Sequence, residues 1–192
     1  MAPEKFEQLT AANYDEIREL DNIGMGGAAT ALSMILGAPT DISIPDVKVI
    51  RNEEATRLMT LLSGGALCML ITVNGDVCGK IVNIIPSQFA ERVIGTYYEK
   101  KISSWNDLNE MDLSVMFEMT NIISAQFCNS LSDQLGMMID ISTPTRCQNL
   151  AAETVSGTNL MLINTMLMAK ETGEKEFVIF LPFLKLFFCQ KI

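Results

Sequence analysis

The chain has 192 residues and a mass of 21.2 kDa, which is the size of one ordinary domain and long enough to bury a substantial core. It contains no histidine, which excludes a Ser/His/Asp triad, a histidine-ligated metal and an imidazole general base. With 14 Lys and Arg against 23 Asp and Glu, the formal charge is -9, so no basic field is available to attract nucleic acid.

Signals for secretion or membrane insertion are not evident. The segment Met1 to Glu7 lacks the apolar stretch of a secretory signal. The longest apolar tract, Phe177 to Phe188, is interrupted by Lys185 and falls short of the roughly 20 residues that a membrane span needs. We therefore expect a cytoplasmic globular protein with no membrane insertion and no nucleic-acid partner. Five scattered cysteines, without a C-x-x-C pair, are typical of reduced and mostly buried thiols: Cys68, Cys78, Cys128, Cys147 and Cys189.

The first predicted element is a long amphipathic helix. Asn13, with Glu16 three residues later, predicts its start, and apolar positions continue at helical spacing as far as Gly37, which fits the left-handed residue after a helix. Three glycines inside the helix each cost about 1 kcal/mol relative to alanine. They indicate either a close approach to another backbone or a break in the helix: Gly24, Gly26 and Gly27.

The rest of the first half alternates strands and short helices. The pattern predicts a strand over 47–50, a helix over Glu53 to Leu62 and two apolar strands over 66–73 and 77–85. Asn74-Gly75 between the two strands is a strong hairpin signal. A helix from Ser87 to about Tyr98 closes this half.

The second half repeats the first. A shift of 99 positions aligns the segment Asp41 to Pro45 with Asp140 to Pro144. The same pattern predicts a helix over about 112–135, a strand near 138–142, and paired strands over 160–169 and 176–181 around Gly173. We therefore expect one domain over 1–192 made of two repeats, about 11–100 and 108–192. Its fold class is α/β (α+β), a pseudo-twofold duplicated domain whose helices pack on a largely antiparallel sheet.

The polar residues that coincide in the two repeats share one spacing. A Glu and an Asn lie within about 60° of each other on the exposed face of each long helix. A single such pair is usually only a solvated face, but chance matches to the full pattern are on the order of 10⁻⁵ per position. The pattern [Asp/Ser]-x3-Glu-x2-Asn-x22-Pro occurs twice, at Asp15, Glu19, Asn22 and Pro45 and at Ser114, Glu118, Asn121 and Pro144.

Both motifs resemble the signature of the CheC / CheX / FliY family of chemotaxis phosphatases, and the resemblance covers essentially the whole chain. Two intact motifs and a length near 200 residues are most similar to CheC, because CheX carries one motif. The departure is Asp21, at a position where the family usually has a small residue before the Asn.

The resemblance implies hydrolysis of the aspartyl phosphate on a CheY-type response regulator. In this reading Asn22 and Asn121 orient the attacking water, and Glu19 and Glu118 anchor the regulator through a charge-assisted hydrogen bond to a lysine. The chain would need no cofactor or metal of its own, since Mg²⁺ is expected in the acidic cluster of the regulator. Four residues would support the site by capping locally, orienting the Glu or setting the chain's path: Asp15, Ser114, Pro45 and Pro144.

Two other functions remain open. FliM-type switch proteins resemble this duplicated fold without the Glu/Asn pairs, so a scaffold that binds a phosphorylated regulator without hydrolysing it is one alternative. The other is an adaptor for CheD, the receptor deamidase associated with CheC proteins, with the helix near Glu53 to Leu62 as a docking surface. A metalloenzyme lacks ligands, and a cysteine-dependent phosphatase lacks its C-x5-R loop.

Overall fold

The computed structural model describes residues 8–102, 105–155, 159–170, 173 and 175–182. Residues 1–7, the end of the tract Phe177 to Phe188 and Cys189 lie outside this part of the chain. The helices are α1 Ala11–Leu36, α2 Asn52–Ser63, α3 Ser87–Ile94, α4 Glu110–Leu135 and α5 Leu150–Thr154. The strands are β1 Thr40–Ile42, β2 Asp46–Arg51, β3 Ala66–Gly75, β4 Gly79–Pro86, β5 Ile139–Ile141, β6 Thr145–Cys147, β7 Asn159–Ala169 and β8 Lys175–Pro182.

All described strands belong to one antiparallel sheet, in the order β1-β7-β8-β4-β3-β5, with β2 also pairing with β7 and β6 with β3. The two halves meet at the centre, where β4 lies beside β8. Each half also lends its short strands to the hairpin of the other: β1 and β2 pair with β7, and β5 and β6 pair with β3. The predicted fold class, a pseudo-twofold arrangement of helices on an antiparallel sheet, is confirmed.

Both faces of the sheet are covered. α1, α3 and α4 bury the larger core on one face, with Phe89, Met116 and Phe127 among its fully buried side chains. α2 and α5 cover the other face around Met59 and Leu150. The predicted helix over 53–62 is therefore present as α2, and its Leu61 is 76% exposed. Docking of CheD on α2 stays a prediction.

The start of α1 differs from the prediction. Thr10 is the N-cap and Asn13 is the third helical residue, each side chain accepting from the other residue's backbone N–H, at 3.0 and 3.3 Å. Asn109 and Asp112 form the same capping box at the start of α4. The sequence prediction placed the start at Asn13 because Asn13 follows Thr10 by three residues and also has a capping side chain.

Two of the three helix glycines are places of close approach, and none of the three marks a break. An added Cβ at Gly24 would lie 2.6 Å from the Phe127 ring, and one at Gly27 would lie 3.0 Å from the Gln126 carbonyl oxygen. α1 runs without interruption past both positions and ends at Gly37, whose φ of 63° is left-handed as predicted. Gly26 is different, because it faces open space.

The hairpin signal is confirmed, but its turn lies elsewhere. Asn74 and Gly75 continue β3 and pair with Asp140 and Ile139 of β5, and the loop to β4 comes after them. Gly75 has a φ of 106°, and a side chain there would meet the Met138 carbonyl oxygen at 2.3 Å. The backbone of this dipeptide thus pairs with β5, an edge strand from the other half.

Several short elements differ from the sequence prediction. α3 ends at Ile94, before the predicted end near Tyr98, because Gly95 and the following turn hydrogen-bond back to its last carbonyls. β1, β6 and α5 were not predicted, since three to five residues carry too little periodicity to be read.

The described cysteines fit buried thiols. Cys68, Cys128 and Cys147 are buried and Cys78 is half-buried, all as free thiols. Burial raises the pKa of Cys68 to about 11 and those of Cys128 and Cys147 to about 12. These three thiols are protonated at neutral pH and therefore poor nucleophiles.

Candidate functional site on two helices

The two Glu/Asn pairs occupy equivalent places on α1 and α4. Glu19 and Glu118 are exposed, and Asn22 and Asn121, one turn further on, are half-buried. Because residues such as Met116 hold the opposite face of the helix in the core, the polar pair is turned outward. Each helix thus offers a carboxylate and a carboxamide side by side.

The four side chains make no polar contact with the part of the chain that the structure describes. Within the described residues, no hydrogen bond or ion pair engages Glu19, Asn22, Glu118 or Asn121. Polar groups on a folded surface that are spent on no internal contact remain available to a second molecule.

The 22 residues between Asn22 and Pro45 comprise the rest of α1, the reversal at Gly37 and the short strand β1. Pro45 is buried, and Pro144 stands eight residues after Gly136 and is half-buried.

A serine two residues before each proline was missed by the sequence reasoning. Ser43 donates its N–H to the Met166 carbonyl and accepts from the Met166 N–H through its hydroxyl, both at 2.9 Å. Ser142 makes the same pair of bonds with Thr72, at 2.9 and 3.0 Å. These bonds fix the loop to the sheet close to the proline, which has no backbone N–H of its own to donate. The signal was present, since each serine belongs to a repeated Asp-Ile-Ser segment.

The two residues at the start of the motifs bind locally. Asp15 accepts from Arg18 at 3.0 Å, in an ion pair that is largely exposed. Ser114 donates to the carbonyl of Glu110 at 2.8 Å. Neither bond involves the Glu of its motif, so orientation of the Glu by these residues stays a prediction.

Asp21, the departure from the family pattern, is buried beside the first pair. It is 4% exposed and accepts a hydrogen bond from the Thr165 hydroxyl at 2.5 Å. Burial raises the pKa of Asp21 to about 6, although the Thr165 hydrogen bond acts to lower it. Thr120, which is also fully buried, holds the equivalent place in α4, as the helical spacing indicated.

The second helix is anchored at its first turn. Asp112 is fully buried and accepts hydrogen bonds from Tyr98 and from the Asn109 N–H, and it forms an ion pair with Lys100. Burial alone would raise the pKa of Asp112, but the bonds from Lys100, Tyr98 and Asn109 outweigh it and hold that pKa below its ordinary value. The α4 site is therefore mounted on a helix whose N-terminus is tied to the segment after α3.

The two pairs form two separate sites. Glu19 and Asn22 lie on α1, and Glu118 and Asn121 lie on α4. In each case the Glu is the ninth and the Asn the twelfth residue of a 26-residue helix, so each pair lies just before the middle of its own helix. Neither pair lines the cavity of about 1030 Å³ beside α3. Each site is an exposed helix face, which suits a macromolecular substrate better than a small one.

Two further features concern metals and membranes. In the described part of the chain, no group of three or more acidic or cysteine side chains is placed to hold a metal ion. None of the described helices is long and apolar enough to cross a bilayer.

Comparison with known proteins finds similarity both in sequence and in fold. The CheC-like family profile matches residues 111–147, which include the second Glu/Asn pair. The CheY-P phosphatase CheC of Bacillus subtilis is 25% identical over 141 residues, covering 72% of this chain and 68% of that protein. The resemblance to the CheC, CheX and FliY family that the two motifs indicated is therefore confirmed.

Solved structures share the fold. Thermotoga maritima FliY superposes with a TM-score of 0.70 and 24% identity, covering 90% of this chain and 91% of that one. The middle domain of FliM from H. pylori superposes with a TM-score of 0.65 and 10% identity, covering 91% and 94%. The fold is thus shared with FliY and with the FliM middle domain alike, and it does not by itself decide the activity.

Proposed function

We propose that this protein hydrolyses the aspartyl phosphate of a CheY-type response regulator in chemotaxis, with one site on α1 and one on α4. The observation that carries the proposal is a face that occurs on both long helices. It consists of an exposed Glu and a half-buried Asn, neither of which has a polar partner among the described residues. The name of the Bacillus subtilis relative, a CheY-P phosphatase, supports the same substrate.

The carboxamides of Asn22 and Asn121 act on the water. The amide oxygen accepts a hydrogen bond from the attacking water, and the amide N–H group remains free for a phosphoryl or carbonyl oxygen. Phosphoryl transfer asks little more of a protein than position and electrostatic stabilisation. Because each tenfold in rate corresponds to about 1.4 kcal/mol, one well-placed amide is sufficient for a labile acyl phosphate.

The carboxylates of Glu19 and Glu118 act on the partner. A carboxylate beside a phosphoryl group would repel it, so each Glu needs a cation between the two, and a lysine of the regulator's active site serves this purpose. The bond then fixes the regulator with its phosphoryl group over the Asn. A protein with a charge of -9 and an acidic partner gains little from long-range attraction, so these local contacts decide recognition.

The regulator supplies the remaining groups. It brings the phosphorylated aspartate and the Mg²⁺ that neutralises the phosphoryl oxygens, while this protein contributes no base, nucleophile or metal ligand. The absence of histidine from the chain is compatible with such a division of labour.

A scaffold without hydrolysis is the second candidate, because the fold is shared with a FliM middle domain. The candidates differ in what happens to the phosphoryl group. A scaffold binds the phosphorylated regulator and leaves the lifetime of its acyl phosphate unchanged, whereas a phosphatase shortens it.

The test is the decay of a CheY-type regulator labelled with ³²P on its aspartate, with and without catalytic amounts of this protein. Faster phosphate release with turnover above one per protein supports the phosphatase. Binding of the phosphorylated regulator with unchanged decay would contradict it and favour the scaffold.

A further inference from the structure

We propose that Asp21 is a positioning residue of the first site, and that its hydrogen bond with Thr165 makes the α1 site functionally unequal to the α4 site. This inference rests on the proposed phosphatase function. It concerns how one of the two sites is held and not which substrate it takes.

Asp21 is placed to control the turn of α1 that bears the site. It is the residue before Asn22 and the second after Glu19, and its carboxylate points into the core, where Thr165 of β7 donates to it at 2.5 Å. A short bond to a buried carboxylate restrains both the rotation of the helix and its height above the sheet.

The strand that donates this bond also holds the proline loop of the same site. Asn164 lies opposite Asp46, directly after Pro45, and Met166 binds Ser43 through two hydrogen bonds. Thr165 lies between these two residues of β7. The Asp21 bond therefore ties the Glu/Asn turn and the Ser43 to Pro45 loop to one short stretch of strand.

In the second half, a strand holds the proline loop in the same way, but no equivalent of the Asp21 to Thr165 hydrogen bond is found among the described residues. Leu70 and Thr72 of β3 hold Thr145 and Ser142, and the residue between them is the buried, apolar Ile71. Thr120, in the place of Asp21, donates to the Met69 sulfur at 3.6 Å, and sulfur is a weak acceptor. The turn bearing Glu118 and Asn121 is thus positioned by packing and not by a hydrogen bond to a carboxylate.

The bond should also make the first site sensitive to pH. Burial raises the pKa of Asp21 to about 6, so the carboxylate is ionised at pH 8 and neutral well below pH 6. Hydrogen bonds to a charged acceptor are stronger than those to a neutral one. Among charged neighbours on α1, Arg18 pairs with Asp15 and Glu19 is exposed, and from β7 the facing group is the Thr165 hydroxyl.

The experiment measures each site alone. Asn121→Ala leaves only the α1 site and Asn22→Ala leaves only the α4 site, and Thr165→Val is introduced into both. With the α1 site alone, Thr165→Val should lower kcat about tenfold while KM changes less than twofold, because binding through Glu19 is retained. With the α4 site alone, the same substitution should change neither constant.

The pH profile separates positioning from general weakening of the fold. The α1 site should lose activity below about pH 6 relative to the α4 site acting on the same regulator. Thr165→Val removes a bond that lowers the pKa of Asp21, so the break in the profile should move to higher pH. Identical profiles for the two sites, or a break that Thr165→Val does not move, would overturn the proposal.

A second variant and a second measurement guard against misfolding or lack of activity. Asp21→Thr with Thr165→Ile installs the residues that hold the equivalent places in the other half, Thr120 and Ile71, and it should fold and give the α1 site the pH profile of the α4 site. If the wild type releases no phosphate, the proposed function fails, and hydrogen exchange still tests the link. Thr165→Val should then reduce protection in segments 19–25 and 42–46 together and leave 118–124 unchanged, whereas unchanged protection in all three would contradict it.

Discussion

Gly24 of α1 lies directly against the ring of Phe127 of α4, so that a Cβ on the glycine would come within 2.6 Å of two ring carbons. The contact joins the two helices that bear the Glu/Asn pairs. Glycine in mid-helix is costly by propensity alone, and here the cost is offset by the burial of Phe127 in the core between the repeats.

Gly24→Ala should therefore destabilise the protein, although alanine is the better helix former. The added methyl group forces the Phe127 ring to shift in a close-packed core, at a cost of about 1–3 kcal/mol, against a propensity gain of up to about 1 kcal/mol. Gly26→Ala is the matched control, because its Cβ would face open space, and it should raise stability by about 0.5–1 kcal/mol. Urea denaturation measures both, and two changes of the same sign would contradict the packing described above.

The buried carboxyl group of Asp21 should make the protein less stable as the pH rises. Its folded pKa of about 6 lies above the ordinary 3.8, so the folded state keeps this proton more tightly than the unfolded chain. The stability gained from that proton is full below about pH 4 and is lost by about pH 6, to the extent of about 3 kcal/mol. Asp21→Asn should remove this slope and leave a protein more stable than the wild type at pH 8. Equal slopes for the two proteins between pH 4 and 6 would be inconsistent with a buried carboxyl.

Asp112 should give a pH dependence of stability with the opposite sign, at lower pH. Its folded pKa lies below the ordinary value, so it contributes stability above about pH 4 that is lost as the pH falls through the folded pKa. Asp112→Asn should flatten this acid limb and, by removing the charged partner of Lys100, cost on the order of 3 kcal/mol at pH 7. Asp15→Asn, in an exposed ion pair with Arg18, is the control and should cost less than about 1 kcal/mol. Thermal melts from pH 2 to 7 decide the comparison.

Substitution of the Glu and substitution of the Asn should have different effects on the affinity for the phosphorylated regulator. Glu19→Ala with Glu118→Ala should weaken binding of the phosphorylated regulator about tenfold or more, because the anchoring bond to its lysine is lost at both sites. Asn22→Ala with Asn121→Ala should leave this affinity within about twofold, since the amides act on water. Calorimetry with a regulator carrying a stable acyl-phosphate mimic measures both. Equal losses for the two double variants would remove the distinction between anchor and water-orienting residue.

The sequence was sufficient to predict the elements with strong local signals. The long helices follow from apolar spacing and from Gly37 and Gly136, and the exposed face with Glu118 and Asn121 follows from the position of Met116 on the buried side. The hairpin strands follow from their continuous apolar runs. Each of these patterns is contained in one stretch of chain.

What could not be predicted depends on contacts between the halves. The pairing of β1 and β2 with β7 joins residues more than a hundred positions apart, and strands as short as β1 carry no period. Asn74 and Gly75 predict a turn, because nothing in the local sequence shows that they pair with β5. The Asp21 to Thr165 bond was missed for the same reason, since its partner is set by the register of β7.

The central claim is tested most directly by phosphate release from a phosphorylated CheY-type regulator in the presence of the Asn22→Ala, Asn121→Ala double variant. The exposed Asn129 of α4 supplies the control, Asn129→Ala, which should act as the wild type does. We predict that the double variant binds the regulator but leaves its dephosphorylation at the regulator's own spontaneous rate, while each single variant retains the activity of its remaining site. Dephosphorylation by the double variant at the wild-type rate would contradict the account.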